Sequence, residues 1–382
     1  MRVSNLSWTS GGGWSCAPGN CHDANLVIYF GSRQALESGE RYAELKDAFP
    51  SAHVLGCSTG GQIHNDDISD DEIGALAIRF GATRLKAVCR EIGSAEHSAA
   101  CGQEIGQALA APDLSGVFVL SDGLNVNGSA LVAGLTGAIG NRIPVTGGLA
   151  GDGAAFQSTL VGCDEPPRPR RIAAIGFYGS AVRIGHGSAG GWDVFGPHRR
   201  ITRSSGNVLH ELDGEPALDL YERYLGPEDA QGLPGTGLLF PLRIASPEQP
   251  RNGLVRTILA VDRETRSMTF AGDMPEGWVA QLMRGHFDRL VQGAADAAQG
   301  AASSLNGTGA TGAAILVSCI GRRLLMGQHA LEEVEAAAER LGSNVSRIGF
   351  YSYGEISPHA ASGTCELHNQ TMTATVFSEA GA

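Results

Sequence analysis

Three stretches of the chain share one plan: an apolar strand, a helix-like segment, a second strand closed by a glycine-containing turn, and a further apolar strand. The first runs LVIYF (26–30), a helix around 42–49, HVLGCSTGGQI (53–63) and IGALAIRF (73–80). The second runs GVFVLSD (116–122), a helix over 129–140, IPVTGGLAGDG (143–153), then STLVG and RIAAIGFYG (158–162 and 171–179). The third runs AAILVSC (313–319), a helix over 330–341, RIGFYSYGEIS (347–357) and CELHNQTMTATVF (365–377). Short strands flanked by helices predict an α/β or mixed α+β build, with helices covering mixed sheets. Copies related by a pseudo-symmetry would put residues 53–63, 143–153 and 347–357 in equivalent places and bring their turns to one mouth.

Between the second and third copies the pattern changes. DEPPRPRR (164–171) is a Pro/Arg loop, residues 182–212 alternate like strands kinked by glycines, and EPALDLYERYLG (215–226) has the apolar spacing of an amphipathic helix. We therefore place a joint near Gly214, dividing a domain of residues 25–214 from a closely associated one of residues 215–380. A Gly/Pro-rich loop (226–237) leads to three strand-like runs, LLFPLRI, LVRTILAVD and SMTFAGDMP, and to a helix spanning 278–300. Residues 1–24 carry Gly11 to Gly13, Pro18 and Gly19 without periodicity and predict an irregular leader on the surface.

The balance of 28 basic against 40 acidic residues gives a net charge of −12, which repels phosphate backbones and anionic lipid and argues against a nucleic-acid partner. No run approaches the roughly 20 apolar residues of a membrane span, and the N-terminus lacks a cationic segment followed by an apolar one. Several of the eight cysteines sit in apolar runs such as AVCR and LVSCI, as reduced buried thiols do. A cytoplasmic protein without membrane insertion is expected. Cys16, Cys21 and His22 read C-x4-C-H, which matches neither a haem-attachment motif nor a zinc knuckle and makes a weak zinc candidate. Glycine, 54 of 382 residues, is grouped in short turns, so backbone is expected to approach something closely.

GCSTGGQI (56–63) joins a thiol, two hydroxyls and a glycine pair in one turn. Its N–H groups suit an anion nest, and Cys57 suits a nucleophile given a base to lower its pKa, although no His or Asp stands near it in sequence. A strand-end turn with a packing cysteine reads the same. DDISDDE (66–72) lacks the spaced calcium pattern and reads as the start of a solvated helix. TGGLAGDG (146–153) has neither the phosphate-loop lysine nor G-x-G-x-x-G order, and the chain has two lysines, Lys46 and Lys86, so nucleotide binding is a poor fit. Asp122, ending VFVLSD, and Asp152 stand at strand ends, where open α/β sheets keep ligands; capping of the following turns accounts for them equally. SYGEIS (352–357) sets Tyr353 and Glu355 beside Gly354. CELHNQTMT (365–373) alternates so that Glu366, His368 and Gln370 share one face, either a polar binding wall or an edge strand wetted by water.

These motifs, GCSTGGQI, VFVLSDG, TGGLAGDG, IGFYG and above all IGFYSYGEISP with CELHNQTMT, resemble those of the FIST proteins, which pair a FIST N with a FIST C domain. The resemblance covers roughly residues 25–378. It implies a bacterial sensory and signal-transduction module that binds a small ligand and signals to partners such as histidine kinases or cyclic-dinucleotide enzymes. Some members look like haem-binding nitric-oxide sensors, and eukaryotic relatives join an F-box. No F-box, kinase or receiver segment is visible in this sequence, and its short glycine-rich leader departs from the longer helical start associated with the haem sensors.

The expectation is a non-enzymatic sensor, without catalytic residues or a required cofactor, whose ligand lies between the FIST N and FIST C parts. From the N-terminal half, Cys57, Ser58, Thr59, Gly60, Gly61, Asp122, Gly147, Gly148 and Asp152 are assigned to its site. From the C-terminal half come Tyr353, Gly354, Glu355 and His368. Two alternatives are a haem-based nitric-oxide sensor with His368 as axial ligand and an enzyme with Cys57 as nucleophile.

Overall fold

The strand Leu26–Gly31 is apolar almost throughout because both of its faces are covered. In the computed structural model, which describes residues 1–16, 22–250, 252–303, 312–359 and 362–380, successive side chains divide between two cores. Leu26, Ile28 and Phe30 face a central interior, while Val27 and Tyr29 lie beneath outer helices. The same division holds for Phe118 and Leu120 against Val117 and Val119, and for Ile315 and Val317 against Ala314 and Leu316. Phenylalanines from different strands close the central interior, with Phe30 and Phe350 rings 4.5 Å apart and Phe177 and Phe377 rings 4.8 Å apart.

Three six-stranded mixed sheets repeat one order. In the first, Leu26–Gly31 is parallel to His53–Ser58 and antiparallel to Ile73–Arg79, which pairs in turn with Arg2–Thr9. Leu114–Ser121, Val145–Leu149, Arg171–Tyr178 and Arg84–Glu91 take these places in the second sheet. Gly312–Cys319, Val345–Ser352, Met372–Glu379 and Val182–Ala189 take them in the third. Helices cross between the parallel strands at Arg33–Leu36 and Glu40–Ala48, at Gly128–Ile139, and at Ile320–Met326 and Ala330–Leu341.

The strand after each glycine turn leaves its own sheet. Gln62–His64 of the first unit pairs with Val345–Ser352 of the third, Gly354–Pro358 of the third with Val145–Leu149 of the second, and Val161–Cys163 of the second with His53–Ser58 of the first. Each unit lends a strand to a neighbour in a closed cycle, the first and third as the inner strand of a two-stranded hairpin. Removing any unit would leave a neighbour's edge unpaired, which binds the two halves of the chain together. The turns within residues 53–63, 143–153 and 347–357 therefore occupy equivalent places, as the repeat predicts.

The third unit carries an insertion. Residues 192–285 hold a nine-stranded antiparallel sheet and the helical segment Ala217–Gln231 around a core that includes Ile201, Leu209, Tyr221, Ile244, Phe270 and Leu282. The joint expected near Gly214 falls inside this sheet, between the paired strands Val208–Leu212 and Glu215–Pro216.

Three local expectations are corrected. The opening residues are not an irregular leader: Arg2–Thr9 completes the first sheet and forms a hairpin with Gly13–Cys16. Residues 278–300 are not one helix, because strand Val279–Gly285 buries Ala280 and Leu282 at period two before helix Phe287–Ser303 begins. DDISDDE does not start a helix. Asp67–Ser69 is a strand folded back on Gln62–His64, with Ile68 opposite Ile63.

Much of the glycine serves contact of chain with chain. Helix Ser98–Leu109 lies so close to Gly128–Ile139 that a Cβ at Gly102 would stand 2.2 Å from the Leu131 carbonyl, and one at Gly134 2.0 Å from that of Ala99. Among the described residues no helix is long and apolar enough to cross a membrane.

Candidate functional site

The three turns meet and bond in a ring. The Gly60 N–H donates to the Tyr351 carbonyl at 2.8 Å, that of Gly151 to Ser58 at 2.9 Å, and that of Tyr353 to Leu149 at 3.2 Å. Each bond joins a residue just after one strand to a residue at or next to the end of the equivalent strand in a neighbouring unit. The Gly61 N–H turns to the Thr59 hydroxyl at 3.3 Å. The Gly60 bond holds two units together, and the anion nest expected at GCSTGGQI therefore has its Gly60 and Gly61 N–H groups occupied.

Beside this ring opens a cleft of about 660 Å³. Its floor is the first turn, Thr59, Gly60 and Gly61, with Asp152, Gly153 and Ala154 of the second. Ser32, Arg33 and Gln34 form one wall, Asp70 and Asp71 the rim, and Ile320, Arg323 and Leu324 the wall from the third unit. Buried Gln62 fixes the floor: with its amide oriented to suit its neighbours, its oxygen accepts from the Thr59 hydroxyl at 2.9 Å and from the Ser32 N–H at 2.6 Å. Arg323 grips Asp70 with two bonds of 2.6 and 2.8 Å and also reaches the Gly60 carbonyl. The Asp152 carboxylate accepts from the Gln157 and Ser158 N–H groups at 2.8 and 2.9 Å and from the Tyr353 hydroxyl.

Of the thirteen residues assigned from sequence, Thr59, Gly60, Gly61 and Asp152 line this cleft. Tyr353 stands one layer behind, its ring stacked on Phe156 at 4.6 Å. Ser58 is buried and ties two turns together, donating to the Gly151 carbonyl and accepting from the Leu160 N–H, both at 2.8 Å. Asp122 is a turn cap, accepting from the N–H groups of Leu124, Asn125 and Arg170 at 2.7 to 2.9 Å. Gly147, Gly148 and Gly354 are strand residues in close packing; Gly147 has φ +137°, and a Cβ there would lie 1.9 Å from the Val119 carbonyl. Glu355 and His368 face each other across paired strands. Neither lines the cleft, and Gln370, at φ +60°, has left the strand, so the Glu366–His368–Gln370 wall does not form.

The sequence matches the FIST N domain model over residues 25–215 and the FIST C domain model over residues 217–358. The chain belongs to the FIST family. FIST domains are associated with sensory and signal-transduction functions. The chain is also 26% identical over 219 residues to an uncharacterised protein of Methanocaldococcus jannaschii, an alignment covering 54% of this chain and 41% of that protein. A crystal structure of cyanuric acid hydrolase from A. caulinodans aligns with 100% of this chain and 99% of its own at 10% identity and a TM-score of 0.35, a likeness too distant to bear on function.

Two chemistries weighed for this FIST chain meet obstacles. Cys57 is fully buried in its strand, and burial pushes its thiol well above the usual range, away from the thiolate a nucleophile requires. As an axial haem ligand, His368 would need an accessible ring nitrogen. The Nε2–H of His368 donates to the Ser357 carbonyl at 3.0 Å, and burial lowers the ring's pKa to about 4. Among the described residues no histidine, cysteine, methionine or tyrosine lines the cleft, so its lining does not fit haem. Cys21 of the zinc candidate lies outside the described residues, among which no metal-binding cluster occurs.

Sequence reasoning missed the two arginines. Arg33 and Arg323 each follow the end of a central strand, Leu26–Gly31 and Gly312–Cys319, which is the ligand-facing position of an open α/β sheet. That strand-end signal was available in GSRQ and SCIGRR. Tyr353→Phe is expected to cost about 1–2 kcal/mol and to speed hydrogen exchange at the Gln157 and Ser158 amides, which hang on Asp152. Unchanged exchange would show that the phenol does not hold this loop.

Proposed function

We propose that this FIST protein is a non-enzymatic cytoplasmic sensor that binds a small polar ligand in the cleft and relays its occupancy to a partner protein, such as a histidine kinase or a cyclic-dinucleotide enzyme. The observation carrying this reading is that the cleft walls belong to all three units at the ring where they interlock. A ligand touching Arg33, Asp152 and Arg323 contacts the first, second and third unit at once. Its binding energy can then favour one arrangement of the units over another, which is the requirement for a signal.

Native mass spectrometry tests the reading. Wild-type protein, freshly isolated or incubated with a small-molecule extract of cells, is expected to carry an added small mass. Ala154→Trp, which fills the cleft from an exposed position, should lose it while keeping the circular-dichroism spectrum. Bare wild-type protein under both conditions, or an adduct retained by Ala154→Trp, overturns the proposal.

A further inference from the structure

The charges of the cleft are satisfied with one exception that points to a ligand class. Arg323 is matched by Asp70 in a two-bond fork, and Asp152 by the phenol and two backbone N–H groups. Asp71 stands exposed at the rim. Arg33 is different. Its Nε is shielded from solvent and makes no hydrogen bond. Its Nη1 lies 3.6 Å from the Glu37 carboxylate, beyond the 2.7–2.9 Å or so of a charge-assisted bond, and that glutamate is 55% exposed. A shielded guanidinium N–H without an acceptor is costly and is rarely left so.

We infer that the ligand carries a carboxylate or phosphate group that takes Arg33 as its anchor. The inference rests on the ligand-binding reading of the same cleft. Guanidinium presents Nε and one Nη as a planar fork matched to two oxygens of such an anion, a geometry that a lone ammonium lacks. Because Nε is shielded as the side chain stands, the fork opens by the arginine turning from Glu37, whose long contact offers little resistance. The Gln34 amide and the Ser32 hydroxyl, on the same wall, add neutral polar groups beside the anion. Arg323 remains on Asp70 and keeps the wall from the third unit in place.

Amide NMR of the full chain tests this, with Gly60, Gly61 and Gly153 reporting the cleft. Sodium succinate, sodium phosphate, ethylamine and glycerol are the probes. Saturable shifts of these glycines are expected with succinate, phosphate or both, the pair of titrations separating a carboxylate from a phosphate preference. Arg33→Gln should weaken that binding by about tenfold or more, whereas Arg2→Gln, on the exposed Asp23 pair far from the cleft lining, should not. Acid binding unaffected by Arg33→Gln overturns the inference. Shifts with ethylamine or glycerol but with neither acid overturn it while leaving the cleft as a ligand site. Glycines unmoved by all four probes count against both.

Discussion

Replacing Glu333 by alanine is expected to remove about 3–5 kcal/mol of folding stability. The side chain is fully buried and makes four hydrogen bonds. Its Oε2 accepts from Arg322 Nε at 2.9 Å and Nη2 at 2.6 Å, and its Oε1 from the Ser318 hydroxyl at 2.8 Å and the Tyr351 hydroxyl at 3.0 Å. Arg322 is equally buried and also donates to the Leu290 carbonyl at 2.8 Å. Truncating the acid leaves a guanidinium in the interior without its counter-ion, and the desolvation penalty of that charge dominates the loss. The pair itself need not be strongly stabilising, since its own desolvation offsets most of its attraction. Joint replacement, Arg322→Met with Glu333→Met, should therefore cost less than Glu333→Ala alone. Urea unfolding of the single and double variants measures both quantities. A single-variant loss below about 1 kcal/mol, the range of exposed pairs, would mean that water reaches the cluster.

The division between legible and hidden features follows the range of the interactions. Helix Ala330–Leu341 was readable because its apolar spacing and the stop at Gly342 are local. Residues 279–285 misled because a short period-two strand abuts an amphipathic helix and the two patterns merge. The strand exchange left no local trace. Nothing in Gln62–His64 specifies a partner at residues 348–350, since that pairing is set by closing the whole cycle. The glycine motifs marked the meeting of the turns but concealed why glycine is there: at Gly147 the requirement is a positive φ and a neighbouring carbonyl. Polar alternation at Glu366 and His368 read equally well as a wet edge or a ligand wall. His368 instead bonds to a neighbouring strand's carbonyl, and Glu355 to hydroxyls supplied by Ser352 and Thr371.

Glu355 makes stability fall with rising pH. Burial is the main cause of a pKa raised from 4.5 to about 8, only partly countered by the Ser352 hydroxyl at 2.7 Å and by the Thr371 N–H and hydroxyl at 3.2 and 2.9 Å. The native protein thus holds this proton more tightly than the unfolded chain does. The resulting stability is complete below about pH 4.5 and is lost as pH rises to about 8. His368 acts in the opposite sense: its pKa is lowered from 6.5 to about 4, so its contribution is lost as pH falls through that interval. Above pH 6.5 the histidine's contribution is complete and adds little slope, and between pH 6.5 and 8 the slope attributable to Glu355 can be isolated as the difference between wild type and Glu355→Gln. Wild type should lose about 1–2 kcal/mol more than the variant over that window, since the amide fills the same space without ionising. Parallel pH profiles from urea unfolding would refute the buried-acid reading. Because Glu355 does not line the cleft, the same substitution should leave succinate and phosphate titrations unchanged at pH 6.5, which separates its effect on the fold from that of Arg33 on the ligand.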